Sequence, residues 1–334
     1  MTNIKDIAKK AGVSTAAVSI ALHGGSGRKR VSSERAEQIR RIASSLNYRP
    51  NSAARMMTSN KTRQIGVLLR NAPDIPMRNP ANFETILGIG EVLSGAGYLQ
   101  VLVPLSRIEN EISRSNRVFS ERLLDGIIVM DVHSSRLYAF VRRNFRHSIF
   151  LDTNCWNKFS CLRRDERKSG ALAAEALKRS GYKKIIYVGP GRGQSPHYSV
   201  LERFEGVNEV LGTADGVAFE TEEVNGAEYL ENLKLHLSRE TGIICYDTLI
   251  ARTVHSHLSQ SGLVPPRDYG LACCDDSHET YLTFPMLSRV DFNRYEMGKL
   301  AAEMIVGSME SKKRPPSRLF DVSWIPGGTI KSKG

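Results

Sequence analysis

The sequence predicts two parts: an all-α helix-turn-helix domain at the N-terminus, followed by a two-lobed α/β domain with parallel sheets. Three observations predict this organisation. The first sixty residues place apolar side chains at helical spacing, the later residues alternate short apolar strands with helices, and positive charge is concentrated in the first part. At 334 residues the chain also exceeds the usual size of a single core. We therefore expect more than one domain.

The charge of the first part is unusual. Residues 1–63 hold thirteen Lys or Arg and three acidic residues, a net charge of +10 out of +12 for the whole chain. Such a block is typical of polyanion binding, because each Lys or Arg placed near a phosphate releases condensed counterions. A disordered basic tail would give the same charge, but the apolar periodicity of this segment argues against it.

That periodicity predicts three short helices. Apolar residues at positions 4, 7, 8 and 11 have the spacing of an amphipathic helix, and Asn3 with Asp6 can form a capping box at its start. Gly12 can end this helix, and Ser14 can cap a second one over residues 15–22. A third helix, capped by Ser32, can close a small core. The pattern is that of a tight helix-turn-helix, which can also be a plain structural corner.

Three strings carry a specific resemblance. They are IKDIAKKAGVSTAAVSIAL, VSSERAEQIRRIASSLNYRPNSAARMM and TRQIGVLL, and together they resemble the lactose-repressor (LacI) family of transcription regulators. The resemblance covers essentially the whole chain and is strongest over residues 1–70. It implies a homodimeric, cytoplasmic, nucleoid-associated repressor of carbohydrate-utilisation genes. Its partners would be pseudo-palindromic operator DNA and a small-molecule effector, with a sugar as the natural fit.

The resemblance also implies which residues contact DNA. Helix two would enter the major groove, and Met57, at the end of a short hinge helix capped by Asn51, would wedge into the minor groove. Simple linker packing is the alternative for Met57. Ile20 stands where the family commonly has Arg, so contact to a thymine methyl is expected instead of a guanine contact. The expected DNA-binding residues are Thr15, Ala16, Ser19, Ile20, His23, Arg28, Arg30, Asn51, Arg55 and Met57.

The remaining residues predict a periplasmic-binding-protein-like sensor. Apolar runs predict strands at 65–69, 99–103, 126–130, 148–151, 185–188, 242–245 and 270–274, and their alternation with helices indicates parallel sheets in two lobes. By resemblance, residues 1–48 form the DNA-binding domain and 49–61 the hinge helix and linker. Residues 62–163 plus 289–319 form the first sensor lobe, and 164–288 plus 320–334 the second.

Polar residues follow several of these strands. Ligands of open α/β sheets bind outside the carboxyl ends of the strands, so these side chains are candidates for an effector cleft. The segment YSVLERFEG resembles the R-x-x-G segment of the family. The expected effector-binding residues are Asn82, Asp152, Arg203, Tyr246, Asp247 and Asp275. Each has a structural alternative: Asp152 as a turn residue, Arg203 in an ion pair, and Asp275 as a helix cap.

Two other classes of protein share a bilobed fold. A solute-binding protein of a transporter is disfavoured by the DNA-reading front end and by the missing secretory apolar segment. A sugar-acting enzyme would use Asp275 as its acid or base, but no nucleophile stands in a catalytic motif. We expect no catalytic residue, cofactor or metal, and we expect the five cysteines to be free thiols in a reducing compartment.

Overall fold

The computed structural model describes residues 2–23, 31–50, 56, 59–70, 80–105, 117–130, 134–156, 159–190, 197–212, 216–221 and 227–332. The chain divides into two compact units, Met1–Thr62 and Arg63–Gly334, which we describe separately.

The first unit contains the three predicted helices. They are α1 (Ile4–Ala11), α2 (Thr15–His23) and α3 (Ser33–Ser45). Asn3 and Asp6 form the predicted capping box, and the Ser14 hydroxyl accepts a hydrogen bond from the Ala17 amide at 3.2 Å. Gly12 has a φ of 65°, a left-handed conformation that glycine adopts without strain, so the chain can turn sharply between α1 and α2.

The core of this unit is small but closed. Ile7, Val18 and Ile39, one from each helix, are fully buried, and alanines surround them. The short alanine side chains let the three helices approach closely. Arg35 of α3 adds a polar link, because its guanidinium donates to the Ala11 carbonyl at the end of α1, 3.0 Å away.

The second unit contains two six-stranded sheets. Strands β1 (Gln64–Arg70), β2 (Leu99–Leu105), β3 (Gly126–Met130), β4 (Ser148–Leu151), β5 (Cys161–Arg164) and β11 (Arg318–Phe320) form the first, in the order β11-β5-β4-β3-β1-β2. All of its described pairs are parallel. The helices α4 (Pro80–Gly95), α5 (Arg117–Ser120) and α6 (Ser135–Asn144) lie between these strands in sequence.

The second sheet repeats this plan. Its strands are β6 (Lys184–Pro190), β7 (Gly216–Thr221), β8 (Thr241–Cys245), β9 (Gly270–Cys273), β10 (Ser288–Asp291) and β12 (Ser323–Ile325), in the order β12-β10-β9-β8-β6-β7. Only β12 pairs antiparallel among the described strands. Its helices are α7 (Glu166–Arg179), α8 (Tyr198–Leu211), α9 (Ala227–Leu235) and α10 (Thr248–Gln260), while α11 (Arg294–Ser311) packs on α4 of the first lobe.

The predicted two-lobed α/β fold is therefore confirmed, with all seven predicted strands present. The sequence pattern missed β5, β7, β10, β11 and β12. Two of these, CLRR and SRVD, contain arginines whose side chains are buried, so they lack a continuous apolar run. The chain passes from the first sheet to the second after β5, returns after β10, and passes again after β11. No helix in the described ranges is long and apolar enough to cross a membrane.

Candidate functional site

The first candidate surface is the outward face of α2. Val18 and Ala21 point into the core, whereas Thr15 and Ala16 are exposed and Ser19 and Ile20 are partly exposed. This face is small and uncharged, so the helix backbone can come close to the floor of a groove. The side chain of His23 and the residues Arg28, Arg30, Asn51, Arg55 and Met57 lie outside what the structure describes, and their roles stay predictions.

The second candidate site is a buried cluster at the carboxyl ends of the sensor strands, centred on Arg203. Its side chain is only 1% exposed. Two of its nitrogens donate to the two carboxylate oxygens of Glu166, at 2.5 and 3.1 Å, and Nη2 also donates to Asp275 at 3.0 Å. Nη1 donates to the Tyr246 carbonyl at 2.5 Å. This bidentate pairing with a carboxylate fixes the guanidinium plane.

Backbone contact between two helices positions Arg203. A Cβ atom on Gly170 of α7 would lie 2.0 Å from the Arg203 carbonyl oxygen, and one on Gly206 of α8 would lie 1.9 Å from the Arg167 carbonyl oxygen. No side chain fits at either position, so α7 and α8 touch through their backbones. This contact brings Arg203 on α8 against Glu166 at the start of α7.

Arg164, the last residue of β5, links the two lobes. Its Nη2 lies 2.8 Å from Asp152, which follows β4 of the first sheet, and 3.0 Å from Glu166 of the second lobe. Its Nη1 lies 3.7 Å from Asp275, which follows β9. Glu166 is fully buried between Arg164 and Arg203, so a single carboxylate serves two guanidinium groups.

The segment after β10 completes the cluster. Arg294, the first residue of α11, forms an ion pair with the second oxygen of Asp275. The Phe292 ring lies against Arg164, Arg203 and Arg294, with guanidinium carbons 4.7, 5.5 and 5.4 Å from its centroid. An aromatic face attracts cations, so the ring holds together three like charges that would otherwise repel one another.

The start of α8 makes a second link between the lobes. The Tyr198 hydroxyl donates to Asp152 at 2.6 Å and accepts from the Arg164 amide at 3.2 Å. The Tyr198 amide donates to the Asn154 side chain at 2.9 Å. Arg163 lies over the Tyr198 ring, 4.2 Å from its centroid, and Arg203 lies 4.5 Å from the centroid of Tyr246. One face of each of these two aromatic rings is therefore already covered by a guanidinium group.

Charges in the cluster shift the acidities of its carboxyls. Burial alone would raise the pKa of Asp275, but Arg294, Arg203 and Arg164 lower it to about 2. Burial also opposes ionisation of Asp152, yet Arg164, His197 and Tyr198 hold its pKa well below the usual value. Both side chains are thus carboxylates at neutral pH, and they accept hydrogen bonds only.

Two neighbouring carboxyl groups, those of Asp276 and Asp247, have raised pKa values instead. Burial raises the pKa of Asp276 to about 7 despite Arg294, and the nearby carboxyls of Asp275 and Asp291 add to the shift. Burial also raises the pKa of Asp247, whose side chain caps α10 by accepting from the Ile250 amide at 2.8 Å. Asp276 therefore titrates near neutrality.

The structure brings together most, but not all, of the residues expected at the cleft. Asp152, Arg203, Tyr246 and Asp275 belong to the cluster, and Asp247 lies beside it. Asn82 lies in the first turn of α4, and no described contact joins it to these residues. The sequence pattern missed Arg164, Glu166 and Arg294. The charged run LRRDER was the available signal, but it needed β5 to be recognised as a strand.

Comparisons with known proteins agree with the two predicted parts of the chain, the N-terminal helix-turn-helix domain and the α/β domain that follows it. Residues 3–51 match the family described as bacterial regulatory proteins, lacI family, and residues 174–330 match the periplasmic binding protein-like domain. The chain is 26% identical to the HTH-type transcriptional repressor PurR of Photobacterium profundum, covering 97% of this chain and 96% of that protein. It is also 26% identical to the ribose operon repressor of Haemophilus influenzae, covering 92% and 91%.

Solved structures share the fold. The lac repressor dimer bound to operator and the anti-inducer ONPF has a TM-score of 0.78 at 18% identity, covering 98% of each chain. The complex of the transcriptional regulator CelR with cellobiose has a TM-score of 0.67 at 18% identity, covering 98% of this chain and 100% of that one.

Proposed function

The chain belongs to the lacI family of bacterial regulatory proteins, and from this premise we propose the surfaces through which it works. It is a DNA-binding repressor controlled by a small-molecule effector. We place its action on operator DNA in the cytoplasm, with no catalytic step. We propose the domain limits given by the sequence, except that the three crossings between the lobes follow β5, β10 and β11, after residues 164, 291 and 320. The observation that carries the DNA assignment is the outward face of α2, within a segment of net charge +10.

In our proposal α2 reads the major groove. Thr15 and Ser19 offer hydroxyls to base edges, and Ile20 offers an apolar contact to a thymine methyl. The exposed arginines of α3 are available to phosphates, which position the protein without reading sequence. Met57, outside the described residues, remains our predicted minor-groove wedge.

Selection of bound duplexes from a random pool tests this assignment with the full chain. We expect enrichment of a pseudo-palindrome, and an affinity that falls steeply with salt concentration as counterions are released. No enriched sequence, or an affinity independent of salt, would contradict DNA reading by this unit.

A substitution in α2 sharpens the test. Ile20→Arg should move the preferred base at one position of each half-site towards guanine, because Arg binds guanine bidentately, worth about 1–3 kcal/mol of discrimination. Arg41→Gln on α3 is the matched control, since it removes an exposed charge and should weaken binding to all sequences alike. An unchanged base preference with Ile20→Arg would exclude this residue from base contact.

We propose that the effector binds at the Arg203 cluster and that it is a sugar. Carboxylate and guanidinium groups bind vicinal hydroxyls well, because each can bridge two of them. Solved structures of the same fold support this class, because one is a regulator in complex with cellobiose and another is a regulator with bound ribose. Another solved structure of this fold is a probable maltose operon transcriptional repressor, so disaccharides belong in any test, and purines are included as a class of ligand other than sugars.

Thermal unfolding of the full chain against monosaccharides, disaccharides and purines tests the effector class. A ligand present at about 100 times its dissociation constant should stabilise the protein by roughly 2.7 kcal/mol. Asp275→Asn should abolish that stabilisation, whereas Asp321→Asn, at an exposed site paired with Lys168, should retain it. A purine that stabilises while every sugar fails would overturn the sugar assignment.

We also propose that part of the dimer surface lies on the second lobe. Tyr281, Leu282 and Phe284 are 61%, 78% and 94% exposed, an unusual density of apolar surface, and Leu249 of α10 is 67% exposed. His255 of α10 contacts the Phe284 carbonyl at 3.3 Å, which joins the two segments into one face. Phe284→Ser should weaken self-association measured by sedimentation, and Leu235→Ser, exposed on α9, is the control.

A further inference from the structure

Two cysteines of the first lobe lie side by side. Cys155 is in the segment that follows β4, Cys161 begins β5, and their sulfur atoms are 3.7 Å apart. Both are free thiols, with Cys161 fully buried and Cys155 7% exposed, so that only a small oxidant could reach the pair and would meet Cys155 first. A disulfide needs about 2.05 Å between sulfurs, so side-chain rotation together with a small movement of the segment that carries Cys155 would close the remaining distance.

The surroundings of the pair are polar on one side. The Cys161 thiol donates to the Cys155 carbonyl oxygen, and the Thr153 hydroxyl lies 3.0 Å from the Cys155 sulfur. Arg163 donates to the Thr153 carbonyl at 2.7 Å, which places a positive charge nearby. These groups stabilise a thiolate at Cys155, and the thiolate is the nucleophilic form of cysteine.

The acidities of the thiols agree with this geometry. Hydrogen bonding to Cys161, together with Thr153 and Arg163, lowers the pKa of Cys155. Burial instead raises the pKa of Cys245, Cys273 and Cys274. Cys155 is thus the thiol of this chain most readily ionised, and it has a second thiol within reach.

We propose that Cys155 and Cys161 form a redox modification site, at which a hydroperoxide such as hydrogen peroxide produces a reversible disulfide. The Cys155 thiolate attacks one peroxide oxygen, an S–O bond forms, the O–O bond breaks and hydroxide leaves. The Cys161 sulfur then attacks the sulfenic sulfur, an S–S bond forms, the S–O bond breaks, and the Cys161 proton leaves with the hydroxyl as water. The two thiols lose two electrons and the peroxide gains them.

The position of the site connects it to the cleft, a step that rests on the proposed function. The segment that carries Cys155 also supplies Asp152 and Asn154, which accept hydrogen bonds from Tyr198 of the opposite lobe. Drawing Cys155 towards Cys161 would displace these acceptors. Oxidation would therefore weaken the contact between the lobes and change the affinity for operator DNA.

Peptide mapping of the full chain tests the site directly. Trypsin cleaves after Lys158, which separates the two cysteines into the peptides HSIFLDTNCWNK and FSCLR. After treatment with hydrogen peroxide we expect these peptides to appear as one cross-linked species that dithiothreitol separates. Cys161→Ala should instead leave a sulfenic acid on Cys155 that dimedone labels, while the control Cys245→Ala should keep the cross-link. Both peptides recovered unlinked from peroxide-treated wild-type chain would overturn the proposal, whether or not the variants fold.

Operator affinity tests the coupling separately. We expect a change of at least several fold between reduced and oxidised protein, reversed by dithiothreitol and absent in Cys161→Ala. A cross-link that forms without any change in operator affinity would refute the coupling to DNA binding. If the chain selected no operator at all, the proposed function would fail while the peptide result still decided the redox site.

Discussion

The outward face of α2, which we propose reads DNA, and the Arg203 cluster of the sensor differ in how far their polar groups are exposed to solvent. On α2, Thr15 and Ala16 are exposed and the charge is carried by other parts of the unit. In the cluster, Arg164, Arg203 and Glu166 are almost completely buried and satisfy one another.

The two surfaces also differ in which contacts a binding partner must displace. A duplex meeting α2 would displace water and counterions but no internal contact of the protein, so binding there would need no rearrangement of the helix. A ligand entering the cluster must replace internal hydrogen bonds, such as the one from Tyr198 to Asp152. If the effector binds there as we propose, we expect its binding to be coupled to rearrangement of the two lobes, as a switch requires.

The largest effect on the free energy of unfolding is expected from Glu166→Gln. This change removes the carboxylate shared by Arg164 and Arg203 and leaves buried positive charge, which costs about 3–5 kcal/mol in comparable buried pairs. Urea unfolding of the full chain measures it. Glu209→Gln, in an exposed pair with Arg167, is the control and should leave the free energy of unfolding nearly unchanged, because solvent screens this pair. Equal effects for the two variants would mean that the cluster does not stabilise the sensor.

Asp276→Asn should change the pH dependence of stability. The folded pKa of about 7 exceeds the ordinary 3.8, so the protonated carboxyl is stabilised by folding. This contribution is complete below about pH 4 and is lost as the pH rises through 7, by up to about 4 kcal/mol at 1.36 kcal/mol per pKa unit. Unfolding free energies between pH 5 and 8 should therefore decline more in the wild type than in Asp276→Asn. Parallel curves would place Asp276 in a solvated environment.

Tyr198→Phe should weaken the second link between the lobes. It removes the hydroxyl that donates to the Asp152 carboxylate, a charge-assisted bond worth about 1.5–3 kcal/mol, and keeps the ring against Arg163. Tyr229→Phe is the matched control, because the buried Tyr229 hydroxyl has no hydrogen-bond partner in the described structure. A Tyr198→Phe sensor as stable as wild type would show that the link is absent in solution.

The smallest effect on stability is expected in the first unit, Met1–Thr62. Ser14→Ala removes the cap of α2 and should cost about 1 kcal/mol of local stability. Hydrogen exchange of residues 15–22 in the full chain would report faster opening. Ser44→Ala, exposed near the end of α3 and making no cap, should leave that exchange unchanged. Equal hydrogen exchange in Ser14→Ala and wild type would show that the Ser14 hydroxyl does not stabilise the start of α2.

Most of the fold could be predicted because its main signals are local. The caps at Asn3, Ser14 and Ser32 and the seven apolar strands all follow from short stretches of sequence. The missed strands β5 and β10 carry buried arginines: those of β5 pair with carboxylates distant in sequence, whereas Arg289 of β10 lies over the Tyr281 ring. No periodicity reveals a strand whose charged side chains are neutralised by another lobe.

Prediction of the site was limited in the same way, because local signals were recognised and distant pairings were not. Asp152, Tyr246 and Asp275 were expected at the strand ends and Arg203 in the segment YSVLERFEG, and the structure brings them together. Their partners Arg164 and Glu166 were missed because the pairing depends on where the chain crosses between sheets. Whether these residues bind the effector remains the proposal that the stabilisation experiment tests.

The glycine contact between α7 and α8 has a consequence for how such a cleft can diversify. Because Gly170 and Gly206 fix the backbone around Arg203, the guanidinium stays in place when the acidic residues around it are exchanged. Glu166, Asp152 and Asp275 lie on three different segments and can be replaced one at a time. A family built on this crossing can keep one constant cationic anchor and acquire new ligand preferences by varying its acidic partners.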